Sequence, residues 1–511
     1  MHAGLDNKTE RLALKAEKTA RARLPVIQRA ANDAVNTGVA RVPARPIPFT
    51  ASGFRTLLKW ADIVVACGLS WYFLALSGAT LLSATVYQIL PFALIPVVLT
   101  CGMRLAAAYE FGLNKRVFEH VLSSANGAGL SLAALGLATY WLYPTTLASW
   151  PVLAMVVIWL VINSLHAHAL AFARYGLRAG WLSENVVIVG ATPNARRLIE
   201  RNRATKELNI VGIFDDRLSR APMVIGKTPL LGRLDDLLTW DRLPEIDRVI
   251  VTVTTDARAR VKSLIDRLRI LPQRVVLLLD LDGFDPESES LARIAHSPAA
   301  YVSGAPRDTR RALSKRAFDL ICASLLLVAF SPLFLCLAWA IKLDSPGPVF
   351  FRQSRHGFNN QIIRVWKFRS MRHAPETDRQ MPLQTYAGDP RITRIGRVIR
   401  PSSIDELPQL INVIKGEMSL VGPRPHAVGM TAEEQSVNSI VGDYAHRHRV
   451  KPGITGWAQI NGSRGPVHTK ALVCERVRLD MEYVNRSSFW LDCFILIMTV
   501  PRLFGDCHKV R

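Results

Sequence analysis

The stretch SKRAFDLICASLLLVAFSPLFLCLAWAIKLDSPGPVFF, Ser314 to Phe351, decides the fold. Its apolar run from Leu320 to Ile341 is long enough to cross a bilayer core, which takes about 20 helical residues. Crossing would put Arg352, Arg355, Arg364, Lys367, Arg369 and Arg372 outside the cytoplasm, against the tendency of Lys and Arg to stay inside. The run is also broken at its centre by Ser331-Pro332, where proline removes a backbone hydrogen bond and bends a helix. A re-entrant helix over 315–342, entering and leaving on the cytoplasmic face, satisfies both observations. A fifth spanning helix is the alternative that hydropathy alone favours.

Upstream of that stretch the chain is plainly membranous. It has 511 residues, 49% of them hydrophobic, and a formal net charge of +23, so apolar blocks coexist with basic ones. Such a balance fits a basic cytoplasmic part facing anionic headgroups or phosphorylated ligands. Nucleic acid is not expected as a partner, because the basic residues follow membrane segments and no aromatic-rich nucleic-acid module is seen. The seven cysteines are scattered, with neither a disulfide framework nor zinc-ligand spacing. Four apolar blocks, roughly 57–77, 86–103, 121–142 and 147–171, are each about long enough to span. Arg104, Lys115, Arg116, Arg174 and Arg178 put the second-to-third link and the exit from the fourth block on the cytoplasmic side, together with the basic arm over 1–52.

Strand-like runs follow: NVVIVGATPNARRLIERN, LNIVGIFDD, DRVIVTVTT and RVVLLLD. Short β-branched runs alternating with helix signals predict a parallel, Rossmann-like α/β domain over 176–300. As a nucleotide fingerprint its first turn is incomplete: Gly190 is followed by Thr192 and Ala195 where further glycines would be needed. Asp215 and Asp216 end the second strand, where a ribose-binding acid would sit. A structural or regulatory role is the favoured reading, with a bound nucleotide as the alternative.

Farther on, SSIDELPQLINVIKGEMSLVGPRP places Asp405 and Glu406 just ahead of a short helix that Pro408 begins and Gly416 ends. Ser403-x-x-Glu406 is a capping-box pattern, and carboxylates at a helix start offset the macrodipole. Chemistry is the other option. A carboxylate attacking phosphorus forms an acyl phosphate that can pass its phosphoryl group on, and an adjacent carboxylate can hold Mg²⁺. Arg424, between Pro423 and Pro425, has little backbone freedom and can fork onto a phosphate. His426, His446 and His448 read as surface residues of a basic segment. SSFWLDCFILIMTVPRLFG, with Asp492 inside it, reads as a helix lying at the headgroups.

From Ser314 onward the chain resembles the bacterial sugar transferase domain of polyprenyl-phosphate hexose-1-phosphate transferases. The matching stretches are SPGPVFFRQSRHGFNN, VWKFRSM, GDPRITRIGRVIR, SSIDELPQLINVIKGEMSLVGPRPHAV, HRHRVKPGITGWAQINGSRG and LDMEYV. GFNN, PRPHAV and HRHRVKPGITGWAQING look most like the undecaprenyl-phosphate glucose phosphotransferase subgroup, and the four-helix and α/β regions match its long form. NGSRGPVHT departs from the usual pattern of an aromatic residue before Arg-Gly and an acid after it.

The resemblance implies Asp405 as nucleophile and Glu406 as Mg²⁺ ligand, with the Pro423–Pro425 loop at the uridine nucleotide. Arg400 would pair with Asp480 in support, and Lys367 and Arg369 would contact phosphate. It implies a mainly α, monotopic catalytic domain over 314–511 after a linker at 301–313, with four transmembrane helices over 53–175. Its partners would be a UDP-hexose, undecaprenyl phosphate and membrane lipids, with a homodimer as one option. The expected activity is transfer of hexose-1-phosphate with release of UMP. The rivals are a non-catalytic assembly scaffold and an NAD-dependent sugar-nucleotide dehydratase; the latter needs a Tyr-x-x-x-Lys pair that the chain lacks.

Overall fold

The computed structural model describes residues 51–505, apart from 79–84, 110–116, 144, 207, 253–257, 279–291, 295–296, 305–308, 373–388, 429, 433–434, 437–440, 442–443 and 466–468. Residues 1–50 of the expected arm therefore lie outside the described residues. The chain divides into two compact units, 1–232 with 293–297, and 233–292 with 298–511.

The first unit begins with four helices, α1 (Ala51–Leu76), α2 (Val86–Leu105), α3 (Val117–Leu142) and α4 (Thr145–Arg178). All four are long and apolar enough to cross a membrane. Ile95, Leu99, Met103, Ile158 and Ile162 are fully buried between them, while Trp71, Leu130, Trp141 and Leu160 face outward. Gly102 and Gly127 let α2 and α3 approach closely, since a Cβ on Gly102 would fall 2.3 Å from the Gly127 carbonyl oxygen. Asp62, buried in this bundle, accepts from Tyr109 Oη at 2.8 Å and lies 3.0 Å from His166 Nε2.

Three parallel strands follow, β1 (Glu184–Val189), β2 (Leu208–Phe214) and β3 (Thr228–Gly232), with α5 (Pro193–Thr205) between the first two. Thr192 caps α5 by accepting from the Ala195 N–H. Asp215 accepts from the Ala191 N–H at 2.7 Å and the Arg217 N–H at 2.8 Å. The carboxylate at the end of β2 thus closes the first loop.

In the second unit β4 (Arg248–Val251) and β5 (Arg274–Leu278) are parallel with α6 (Arg258–Leu268) between them, and β6 (Ser297–Ser303) runs antiparallel to β5. Next come α7 (Thr309–Ala329) and α8 (Ser331–Asp344), bent by 58° at Phe330. Pro332 stands in the first turn of α8, where its missing N–H costs nothing. Ser331 Oγ donates to the Val328 carbonyl at 2.7 Å across the bend. Ile321, Leu325, Val328, Leu335, Trp339 and Leu343 stand outward as an apolar surface.

The hairpin β7 (Phe350–His356) and β8 (Ile362–Phe368) precedes α9 (Gln409–Lys415). The parallel pair β9 (Ser419–Val421) and β10 (Gly453–Thr455) follows, and α10 (Lys470–Arg486) and α11 (Phe489–Gly505) close the unit. α11 turns Ile495 into the core and Trp490, Ile497 and Val500 outward. Asp492, inside the segment read as a helix at the headgroups, points into the protein. It is buried and accepts from Lys315 Nζ and Tyr483 Oη, both at 2.7 Å.

Gly453 shows how tightly β9 and β10 are joined. A Cβ there would meet the Gly422 nitrogen at 2.1 Å and the Thr455 carbonyl oxygen at 2.4 Å, both backbone atoms. Gly453→Ala is expected to destabilise the protein by about 1–3 kcal/mol, the range for overpacking. A thermal melt indistinguishable from wild type would show that the close approach is dispensable.

Candidate active site

Asp405 and Glu406 sit on a single 3₁₀ turn, Ile404–Glu406, that follows Ser403 in a left-handed conformation (φ 54°, ψ 22°). The capping box does not form, because an N-cap needs an extended backbone. Instead the Glu406 N–H donates to the Ser403 carbonyl at 3.0 Å, and Ser403 Oγ accepts from Arg464 at 3.0 Å. Pro408 leads into α9 at φ −60°, and Gly416 ends it at φ 86°, a conformation glycine adopts without strain. Asn412, fully buried in α9, accepts from the Trp366 N–H at 3.0 Å and donates to the Arg364 carbonyl at 2.8 Å. That bridge fixes α9 against β8, the strand carrying Lys367.

Three elements then converge on one carboxylate. Glu406 Oε1 accepts from Lys367 Nζ at 2.7 Å and from Arg424 Nη2 at 2.6 Å, while Oε2 accepts from Arg424 Nη1 at 3.1 Å. Burial alone would raise the Glu406 pKa; Arg424 and then Lys367 outweigh it and hold the group well below the usual carboxylate range. Glu406 in turn raises the Arg424 pKa. Burial depresses Lys367 against the pull of Glu406.

Asp405 has a different fate. It is 8% exposed, and no hydrogen bond reaches its carboxylate among the described residues. Burial raises it, Lys367 lowers it and Glu406 raises it again, leaving it at about 6. A helix start favours the ionised form, but burial beside a second carboxylate raises the pKa. Arg355, missed by the sequence reading as a site residue, faces both acids and is brought down to about 10 by burial and by Arg424. Its Nη1 donates to the Pro425 carbonyl.

Other expected site residues lie elsewhere. Arg369 is buried and donates to the carbonyls of Ile341, Ser345 and Pro346 at 3.1, 2.5 and 2.9 Å, so it fastens the end of α8. Arg400 does not pair with Asp480. It donates to Ser370 Oγ at 3.4 Å and its charge bears on Asp405. Asp480 pairs instead with Arg447 at 2.8 Å, both nearly inaccessible. His426, His446 and His448 are not on the surface but buried. Burial and then Arg447 keep His426 neutral and take His448 down to about 3. For Arg355, Arg447 and Asn412 the only local signal was a basic or amide residue near a matched motif.

Among the described residues no three His, Cys, Asp or Glu side chains converge as a metal cage. Any divalent ion here would rely on Asp405 and Glu406 and on ligands brought by a substrate. A protonatable carboxylate beside a neutralised one, flanked by fixed cations, is an arrangement suited to an anionic, phosphate-bearing ligand.

The model for bacterial sugar transferases matches residues 310–506, and one described as a CoA-binding domain matches 105–278. The chain is 42% identical over 324 residues to an undecaprenyl-phosphate glucose phosphotransferase of Komagataeibacter xylinus, covering 63% of this chain and 59% of the relative. It is 38% identical over 358 residues to the UDP-glucose:undecaprenyl-phosphate glucose-1-phosphate transferase of Escherichia coli K12, covering 68% and 75%. A Xanthomonas campestris protein of the same name is 38% identical over 280 residues, covering 54% and 57%. The match thus spans somewhat over half the length of the first and third relatives and three quarters of the second. The chain belongs to the bacterial sugar transferase family.

Glu406→Gln is expected to leave Lys367 and Arg424 partly buried without a counter-charge. Breaking a buried pair in this way costs roughly 3–5 kcal/mol. Chemical denaturation of the purified protein measures it, and a loss below about 1 kcal/mol, the scale of a surface pair, would mean the cluster is effectively solvated.

Proposed function

We propose that this protein transfers glucose-1-phosphate from UDP-glucose to undecaprenyl phosphate through a covalent intermediate on Asp405. This is the opening step of exopolysaccharide repeat-unit assembly. The observation that carries the reading is the contrast between the two acids: Glu406 has its oxygens on Lys367 and Arg424, and among the described residues none bonds those of Asp405. The activities named for the relatives support it.

In the first half-reaction a carboxylate oxygen of Asp405 attacks the β-phosphorus of UDP-glucose. The bond from that phosphorus to the bridging oxygen breaks, and UMP leaves with the electron pair. In the second, a phosphate oxygen of undecaprenyl phosphate attacks the same phosphorus, the acyl-phosphate bond breaks, and the Asp405 carboxylate is regenerated. Arg424 and Lys367, held by Glu406, meet the charge that gathers on the phosphoryl oxygens. Pro423 and Pro425 keep Arg424 in place for the nucleotide. Mg²⁺ would be held by Glu406, sharing the carboxylate with its cations, with other positions filled by substrate phosphates and water. When bound it screens the repulsion between carboxylate and diphosphate.

The location follows from the two substrates. UDP-glucose is water-soluble and undecaprenyl phosphate is membrane-embedded, so the site rests on the cytoplasmic face of the inner membrane. In this reading α7 and α8 form a re-entrant pair that enters and leaves on that face, with their outward apolar side chains against membrane lipids. The Rossmann-like domain is a structural or regulatory unit.

Asp405→Asn is expected to lower UMP release by at least about three orders of magnitude, as removal of a nucleophile does. Equal UMP release from the variant, in Mg²⁺ with UDP-glucose and lipid phosphate, would rule out the covalent route. Activity is expected to disappear on chelation and return with added Mg²⁺; an unchanged rate in excess chelator would remove the ion from the scheme. Because only the ionised carboxylate attacks, kcat/KM should climb tenfold per pH unit below about 6 and level off above it. Lys367→Met removes a charge that lowers the Asp405 pKa, so the acid limb should move to higher pH. A limb that stays in place would mean another group is titrating.

A further inference from the structure

The 3₁₀ helix Tyr444–Arg449 touches two parts of the second unit with different side chains. On one side His446 Nε2 donates to the Arg269 carbonyl at 2.5 Å, and Arg449 donates to the Pro272 carbonyl at 3.2 Å and to Ser303 Oγ at 2.6 Å. These acceptors flank β5 or end β6 in the α/β region. On the other side Arg447, 1% exposed, pairs with Asp480 at 2.8 Å. It also donates to the Arg424 carbonyl at 2.5 Å and to the His426 ring at 2.7 Å. One short helix therefore bonds the α/β region through His446 and Arg449 and the backbone of the Pro423-Arg424-Pro425 loop through Arg447.

A second connection runs in parallel. Asn359 and Gln361, in the turn between β7 and β8, donate to the carbonyls of Ile246 and Pro244, both at 3.1 Å. From β7 the His356 N–H donates to the His426 carbonyl at 3.1 Å, and Arg355 donates to that of Pro425. Residues 424–426 are thus held by backbone contacts on two sides, and both supports rest on α/β residues at 244–246, 269–272 and 303. A buried, ion-paired arginine is a stiff link: moving it would take from Asp480 its ion-pair partner.

We infer that Arg447 is a positioning residue for Arg424, and that Tyr444–Arg449 transmits the state of the α/β region to the nucleotide loop. The α/β region thereby sets how well the site accepts its UDP-sugar. The substrate part of this inference rests on the function proposed above. The mechanical part does not. A ligand or partner that loosened the strand ends near 269–272 would weaken UDP-sugar binding without touching Asp405 or Glu406.

The test uses the full-length protein in detergent or nanodiscs. Arg447→Ala also breaks the buried pair with Asp480, so the double variant His446→Ala/Arg449→Ala, which removes the α/β-side contacts and keeps Arg447, is the informative one. Hydrogen–deuterium exchange needs no substrate and reads the link directly: amides over 421–427 are expected to exchange faster than in wild type. In steady-state assays KM for UDP-glucose should rise about 2- to 30-fold, the span of couplings carried by such contact networks, with kcat within about twofold. Faster exchange confined to 269–303, with 421–427 unchanged, would overturn the link. If the loop loosens but Asp405→Asn still releases UMP normally, the link stands and the proposed chemistry falls.

Discussion

Everything at the site depends on a buried carboxylate shared between two cations. Glu406 accepts from Lys367 on a strand and from Arg424 on a proline-bounded loop, so one ionised group fastens three segments distant in sequence. Remove its charge and the cations repel each other and Arg355. Keep it, and they stay close enough to face a common point. A buried ion pair is weak evidence for net stability, since desolvation offsets much of the attraction. Its value here is geometric, because it holds two cations beside Asp405 without letting either neutralise Asp405.

The same logic roots the bent helix pair to the site. Arg316 donates to the Val413 and Ile414 carbonyls at 2.5 and 2.7 Å, satisfying the exposed end of α9. Asp319 accepts from Ser419 Oγ and from the Leu420 N–H, both at 3.0 Å. Lys315 donates to the Val421 carbonyl at 3.1 Å and to Asp492. Three polar residues on α7 thus clamp the helix that follows the acid pair and the strand that precedes Arg424. An apolar contact could slide by a turn at little cost; charged groups bonded to named carbonyls cannot. The height of the carboxylates relative to the apolar helix surface is fixed by that clamp.

How much of this was legible in the sequence depends on how local each signal is. The four long helices were readable because hydropathy is a property of consecutive residues, and each block coincides with one long helix apart from a residue at the end of the first. The bend at Ser331-Pro332 was readable because proline acts on its own backbone. Ser403 was misread as a cap because the pattern Ser-x-x-Glu does not encode the φ of its first residue. The histidines were misread because their burial comes from partners up to 177 residues away, and Arg369 because three carbonyls at the end of α8 absorb its donors. Arg400 was given the wrong acid for the same reason: which arginine reaches Asp480 depends on how α10 packs, and Arg447 is the one inside.

Two adjacent carboxylates of similar intrinsic acidity are driven apart by a few ångströms of environment. Glu406 is kept ionised by direct contact with Lys367 and Arg424, which also makes its oxygens weak bases and poor nucleophiles. Asp405 feels the same cations at longer range, together with burial and the charge of Glu406, and ends higher. A higher pKa means a more basic oxygen, and basicity favours attack on phosphorus once the proton has left. Its value of about 6 leaves the group largely ionised at neutral pH while retaining more of that basicity than an ordinary aspartate. An incoming diphosphate would add negative charge, pushing Asp405 toward protonation, and so must itself be countered. Lys367, Arg424 and Arg355 outnumber the two carboxylates, and that surplus of positive charge is what lets an anion approach an anion.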